Sequence, residues 1–288
     1  MQLAGNQPRQ KEQKLDSLMK RFLSYKCIIS RILHYGLKEF KELTPDYIEH
    51  NCFPNSEGER VLRLNTEDIG SAQDLIFDVC IPGDEIPRTI IINLEPQTTD
   101  RLSYALVTRA IFYGSSILSR QYDTVFTNSE YQKIQKVYSI WIVTHPKKNK
   151  NVLTTYNIEQ DNIVGTSTDT KRDYDLLSII IASLGDEYTN NPLLDFLNQT
   201  FDFKKGKNEI FDTLKEKYGV SLTDQFRKDV SDMYTIEDAI LEQGIQQGIE
   251  QGIKEVAINM LKAGMSKDQI AAITGLSIKD LSELERSL

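Results

Sequence analysis

Two acids and one amide stand out by type and spacing on neighbouring apolar runs of this chain. Asp78 lies in Ile76-Phe77-Asp78-Val79-Cys80-Ile81, and Glu95 and Gln97 close the run Thr89-Ile90-Ile91-Ile92-Asn93-Leu94-Glu95-Pro96-Gln97. β-Branched and aromatic residues dominate both runs, and Pro82-Gly83-Asp84 between them supplies turn chemistry, so the pattern predicts an antiparallel hairpin. Side chains alternate along a strand. Ile76, Asp78 and Cys80 therefore share one face of the first strand, while Asn93, Glu95 and Gln97 share a face of the second, opposite Ile90, Ile92 and Leu94. An isolated carboxylate in such a sheet is costly, and two carboxylates facing each other repel. A divalent cation between them resolves both problems. The reading predicts that Asp78 and Glu95 converge at one end of the sheet with Gln97 beside them. Pro96 removes a ladder donor, which places Glu95 and Gln97 where pairing ends or the strand bulges.

The elements that would position these groups follow from periodicity. Residues 1–13 are polar and read as a disordered lead-in. Leu15, Leu18, Met19, Phe22 and Leu23, then Ile28, Ile29, Ile32 and Leu33, fall at helical spacing up to Gly36. Thr44-Pro45-Asp46 starts a short helix, and residues 61–64 suggest a short strand. After Gln97, Thr98-Thr99-Asp100 leads into a helix carrying Leu102, Ala105, Leu106, Ala110, Tyr113 and Ile117. Arg109 and Tyr113, four apart, share a face of it. They read either as a phosphate clamp or as a snorkelling Arg beside a packed Tyr. Residues 137–144 are apolar on both faces, the mark of a central strand. The basic loop that follows contains Lys147 and Lys148, either phosphate contacts or a solvated charge run, and residues 152–156 form one more strand candidate. Residues 161–173 read as polar linker; residues 174–184, 192–201, 210–218 and 226–233 read as helices.

The tail holds the only internal repeat. Gln243-Gly244-Ile245, Gln247-Gly248-Ile249 and Gln251-Gly252-Ile253 recur every four residues. Three glycines in a helix each cost about 1 kcal/mol against Ala, so they call for a reason. A groove for a second helix, and with it homo-oligomerisation through residues 235–288, is one reading; a linker helix is the other. Three short segments broken at Gly264 and Gly275 then resemble a helix-turn-helix, with Ser266 and Gln269 as a capping box and Ser277 as an N-cap. The last segment sets Asp280, Glu283 and Glu285 against Lys279 and Arg286, a balance that suits a protein contact better than a major groove.

With 34 Lys and Arg against 42 Asp and Glu, the net charge of -8 makes non-specific nucleic-acid binding unfavourable, so any DNA contact must be local and metal-assisted. The three cysteines, Cys27, Cys52 and Cys80, are too few and too scattered for a disulfide framework or a zinc set. No run is long enough for a membrane span and the start is polar, so the expected location is the cytoplasm.

An Asp on one strand, a Glu on the next and a polar residue two positions later resembles the PD-(D/E)XK nuclease superfamily, with Gln97 where most members have Lys. The Gln, together with Leu64-Asn65-Thr66-Glu67-Asp68, Arg109-Ala110-Ile111-Phe112-Tyr113, Lys136-Val137-Tyr138-Ser139-Ile140-Trp141 and the Gln-Gly-Ile tail, resembles its recombination-promoting, transposase-like branch. The resemblance covers nearly the whole chain after the first dozen residues. It implies an α/β restriction-endonuclease-like core, a mixed central sheet flanked by helices, over residues 14–160. A helical buttress over 161–234 and the α-helical tail over 235–288 would follow. It also implies a DNA endonuclease in which Asp78 and Glu95 hold Mg²⁺ or Mn²⁺ and Gln97 positions a water or phosphate, with Asp16 and Glu67 either accessory acids or, respectively, a first-turn helix acid and part of a solvated turn. Two readings compete with it: a non-catalytic DNA-associated or regulatory protein of mobile-element origin that keeps the fold and assembles through its tail, and a purely structural core.

Overall fold

The computed structural model of the chain describes residues 6–54, 56–61, 75–83 and 88–286. The chain divides into two compact units, Glu12–Tyr234 in one and Thr235–Leu288 in the other with the first turns of the chain.

Apolar spacing dictates the opening helices. α1 (Asn6–Leu23) buries Leu15, Met19, Phe22 and Leu23, and α2 (Lys26–Gly36) buries Ile28, Ile29, Ile32 and Leu33. The expected disordered lead-in is thus helical from Asn6, with Pro8 in the first turn, where a missing N–H breaks no helical bond. In α3 (Pro45–Asn51) Thr44 caps the start by accepting a hydrogen bond from the Tyr47 N–H, as Thr44-Pro45 predicts. Of the strand expected at 61–64, Val61 is irregular and the rest lies outside the described residues.

Five strands form one mixed sheet, β1 (Leu75–Ile81), β2 (Arg88–Gln97), β3 (Val137–Val143), β4 (Val152–Asn157) and β5 (Leu177–Ser183), in the order β1-β2-β3-β5-β4. β1 and β2 are the predicted antiparallel hairpin; β2, β3 and β5 run parallel; β4 is antiparallel to β5. All seven residues of β3 are buried, as its two-sided apolarity requires for a central strand, whereas edge strand β4 is largely exposed. α4 (Leu106–Ser119) covers one face, where Leu106, Ala110 and Ile117 meet Ile91, Val137, Trp141, Val143, Leu177 and Ile179. A Cβ on Gly114 would stand 2.6 Å from the Leu177 side chain, so the bare glycine is what lets the helix lie this close.

One expected helix is a strand. Residues 174–184 contain only the end of a four-residue helix, α5 (Lys171–Tyr174), and then β5. A run buried on both sides has no periodicity to separate helix from strand, and the β-branched Ile179-Ile180-Ile181 decides for strand. The sheet therefore continues into the stretch read as a helical buttress. α6 (Pro192–Thr200) and α7 (Lys207–Glu216) follow where expected, and Gly219 ends the second at φ 63°. α8 (Asp224–Lys262) places Phe226, Val230, Met233 and Tyr234 in the core of the first unit. The Gly-Ile repeat and residues 256–262, expected as a separate segment, are all part of this one helix; α9 (Lys267–Thr274) and α10 (Ile278–Arg286) complete the chain.

Candidate active site

The carboxyl ends of the parallel strands gather the polar groups. Glu95 sits two residues from the end of β2, 3 % exposed, level with Trp141 of β3. A buried carboxylate needs a charge partner. Lys20 of α1 supplies one: its Nζ lies 3.4 Å from Glu95 Oε2 and 3.3 Å from Asp16 Oδ2, one helical turn back. Asp16, expected as an accessory acid, thus reaches the site through Lys20. Sequence reasoning missed Lys20 itself. The signal was a lysine inside the apolar stripe between Met19 and Phe22, where it is only 6 % exposed.

Gln97, two residues on and on the same face, is held at both ends of its amide. Its Nε2 donates to the Thr99 carbonyl at 3.0 Å, and its Oε1 accepts from Arg109 Nη1 at 3.4 Å. Arg109 reaches it from α4 by lying over two rings, 5.2 Å from the Trp141 centroid and 5.3 Å from that of Tyr113. Tyr113 in turn meets Trp141 edge-on at 5.9 Å. Cation–π stacking fixes the guanidinium plane while leaving donors for another acceptor. Tyr113 thus packs against Trp141, and the guanidinium of Arg109 lies beside Gln97. Pro96 leaves the β2–β3 ladder intact through Gln97, and among the described residues the β1 side of β2 ends at Leu94.

Asp78 does not join them. It shares the face of Glu95, as parity demands, but pairs with Ile91, four residues short of Glu95. Four strand residues span about 13 Å. Oxygen ligands of one divalent ion lie within about 5 Å of each other, so the expected convergence of Asp78 and Glu95 fails on register. Burial instead raises the Asp78 carboxyl above its ordinary value, and no donor or cation pairs with it among the described residues. Glu67 lies outside the described residues.

A cleft of about 730 Å³ opens beside this end, lined by Arg101, His145, Lys147 and Lys204 among others. The loop after β3 is tied to the loop after β2, with Thr144 N–H donating to the Gln97 carbonyl at 3.0 Å and Lys147 N–H to Asp100 Oδ1 at 2.7 Å. Lys147 is exposed in the cleft; Lys148, exposed beside it, does not line it. His145 stacks on Phe203, and desolvation followed by Lys204 holds its imidazole below the ordinary value.

In the second unit the end of α8, α9 and α10 close around Ala257, Ile270 and Leu281, all fully buried. Ser266 and Gln269 form the expected capping box, Ser277 Oγ accepts from the Asp280 N–H at 3.1 Å, and Gly275 turns the chain at φ 75°. Residues 250–285 match the Rpn/YhgA-like nuclease family, C-terminal HTH domain. No curated protein and no solved structure matches the chain. The Rpn/YhgA-like match agrees with the branch that the strand motif and the Gln-Gly-Ile tail resemble, and it makes the tail a helix-turn-helix by family as well as by shape. It reaches none of the residues around Glu95.

Proposed function

We propose that the chain is a metal-dependent DNA endonuclease of the recombination-promoting type, with Glu95 at its centre. The observation that carries this reading is the position of Glu95: buried at the carboxyl end of a central parallel strand, where open α/β sheets take their ligands, next to a cleft in which Arg101, Lys147 and Lys204 stand among Asp186, Glu187, Asp195 and Asp202. The ammonium of Lys20, seated between Glu95 and Asp16, marks a place where positive charge is stabilised. Glu95 fits a Mg²⁺ or Mn²⁺ ion there through its oxygens; Asp78, a strand's half-length away, does not.

When bound, the ion would lower the pKa of a water and offset charge on the scissile phosphate. The side chains do the rest. Lys20 offsets the charge of Glu95 in its buried setting, a part that neutral Gln97 cannot play. Gln97 holds Arg109, and Arg109 presents its remaining donors to a phosphate oxygen. Lys147, exposed in the cleft, adds a cation for the backbone leaving the site.

Plasmid cleavage with Mg²⁺ or Mn²⁺, run beside Glu95→Gln and Asp78→Asn, tests this. Cleavage lost in the first and kept in the second is the expected pattern. A wild type that neither cleaves nor binds metal by calorimetry would leave the non-catalytic, DNA-associated reading. The helix-turn-helix tail supports a DNA partner under either outcome. Leu241, Ile245 and Ile249 stand exposed at four-residue spacing on α8, and we assign them to self-assembly. Light scattering on the full chain and on a version ending at Met233 would show it; equal monomeric masses would remove it.

A further inference from the structure

The opposite end of the same strands carries a second charged surface. Arg88 and Thr89 begin β2, Lys136 precedes β3 and Leu176 precedes β5, and together they floor a cleft of about 1090 Å³. Its walls bring six cations, Lys38, Arg88, Lys133, Lys136, Lys171 and Arg172, against three acids, Glu39, Asp173 and Asp175. A smaller hollow of about 180 Å³ continues it, sharing Lys38, Lys136, Lys171 and Asp175. This excess stands out on a chain whose net charge is -8.

The acids are already engaged. Asp175 takes Lys136 at 2.8 Å with Lys38 at 3.9 Å, Glu39 accepts from the Tyr138 hydroxyl at 2.7 Å, and Asp173 accepts from the Thr170 N–H and hydroxyl. Lys133 pairs with Glu130. Arg88, Lys171 and Arg172 are exposed and have no ion pair among the described residues. Beside these free cations stands an aromatic ledge. Tyr131, 62 % exposed, lines the cleft and packs on Phe126 at 5.3 Å, which packs on exposed Tyr122 at 5.6 Å. Phe126 is buried, so it braces two rings that would otherwise have no reason to face water.

We infer that this cleft binds single-stranded nucleic acid, its phosphates on Arg88, Lys171 and Arg172 and a base stacked on Tyr131. A basic groove tracked by exposed rings is the arrangement that holds unpaired bases without reading sequence. A lone phosphate would fill a small part of the volume and leave the Tyr131 ring unused; an acidic peptide need offer no flat face to stack. The cleft begins seven residues before Glu95 on β2, about 23 Å along the strand. It therefore goes beyond the cleavage site and stands whether or not the chain cuts DNA.

The test is fluorescence anisotropy of a short labelled oligothymidylate with the full chain, at low salt in EDTA so that no metal chemistry intervenes. Lys171→Glu/Arg172→Glu should weaken binding at least about tenfold and lower the log–log salt slope by about 1.4, or 0.7 per lost contact. These two positions open α5, where acids are well tolerated, so the fold should survive. Tyr131→Ala should cost at least about fivefold. No binding by the wild type, or equal affinity in the cleft variants, would overturn the assignment. A blunt duplex that competes as well as the oligothymidylate, with no effect of Tyr131→Ala, would overturn its single-strand character.

Discussion

The two ends of β2, β3 and β5 handle charge in opposite ways. At the carboxyl end, Lys20 and Glu95 are 6 % and 3 % exposed, and each is held by the other. At the amino end, Arg88, Lys171 and Arg172 stand in water without protein partners among the described residues. Burial explains the difference. A desolvated charge survives only when paired, and at the carboxyl end Lys20 and Glu95 stand against each other with Asp16 beside Lys20. Solvated cations cost little to leave open, and what they gain by staying open is a ligand. The first end is suited to chemistry on one phosphate, the second to holding an extended chain.

That contrast breaks first at Glu95. Glu95→Gln should lower metal-dependent cleavage by ~10³-fold or more while leaving oligonucleotide binding at the far end unchanged. A loss of both would mean that the two ends are one site. Lys20 comes next. Lys20→Met takes the ammonium from beside Glu95, and breaking such a buried pair costs roughly 3–5 kcal/mol. Urea unfolding should show the loss, and added Mg²⁺ should recover part of it if the ammonium marks a cation site. A variant as stable as the wild type, indifferent to Mg²⁺, would show that the ion pair does not organise this end. Arg109→Lys keeps the charge but gives up the planar stack on Trp141 and Tyr113. Cleavage should fall by about 10-fold to 100-fold with metal affinity, read by calorimetry, nearly unchanged.

Much of this was legible in the residues, and the misses have physical causes. The hairpin, the shared face of Glu95 and Gln97, the central position of β3 and the caps at Thr44 and Ser266 all depend on local chemistry, which sequence carries directly. Parity told which face Asp78 occupies. It could not tell the level, because level depends on where the hairpin reverses, and the closing pair Ile81 and Arg88 puts Asp78 beside Ile91. β5 reads as a helix in sequence because a strand buried on both faces loses the alternation that would betray it. Lys20 reads as an ordinary surface lysine until its partner arrives from a strand seventy-five positions away. Tertiary pairing of this kind leaves no trace in local spacing.

The smallest effect belongs to Asp78, and it separates the two acids of the original motif. Burial raises its carboxyl above the ordinary value of 3.8, with no partner among the described residues to offset the charge. A carboxyl whose folded value exceeds its unfolded one holds its proton more tightly in the native state. The native state is therefore penalised once the group ionises: stability contributed below 3.8 is lost as pH rises through the folded value. Asp78→Asn removes the group that ionises. The variant should melt about 1–2 °C above the wild type at pH 7, and the gap should close as pH falls through the acid range. Glu95→Gln, which strips Lys20 of its buried partner, should show the opposite sign at pH 7. If Asp78→Asn instead lost stability at pH 7, its carboxylate would be satisfying a cation, and the contrast between a paired Glu95 and an unpaired Asp78 would fall.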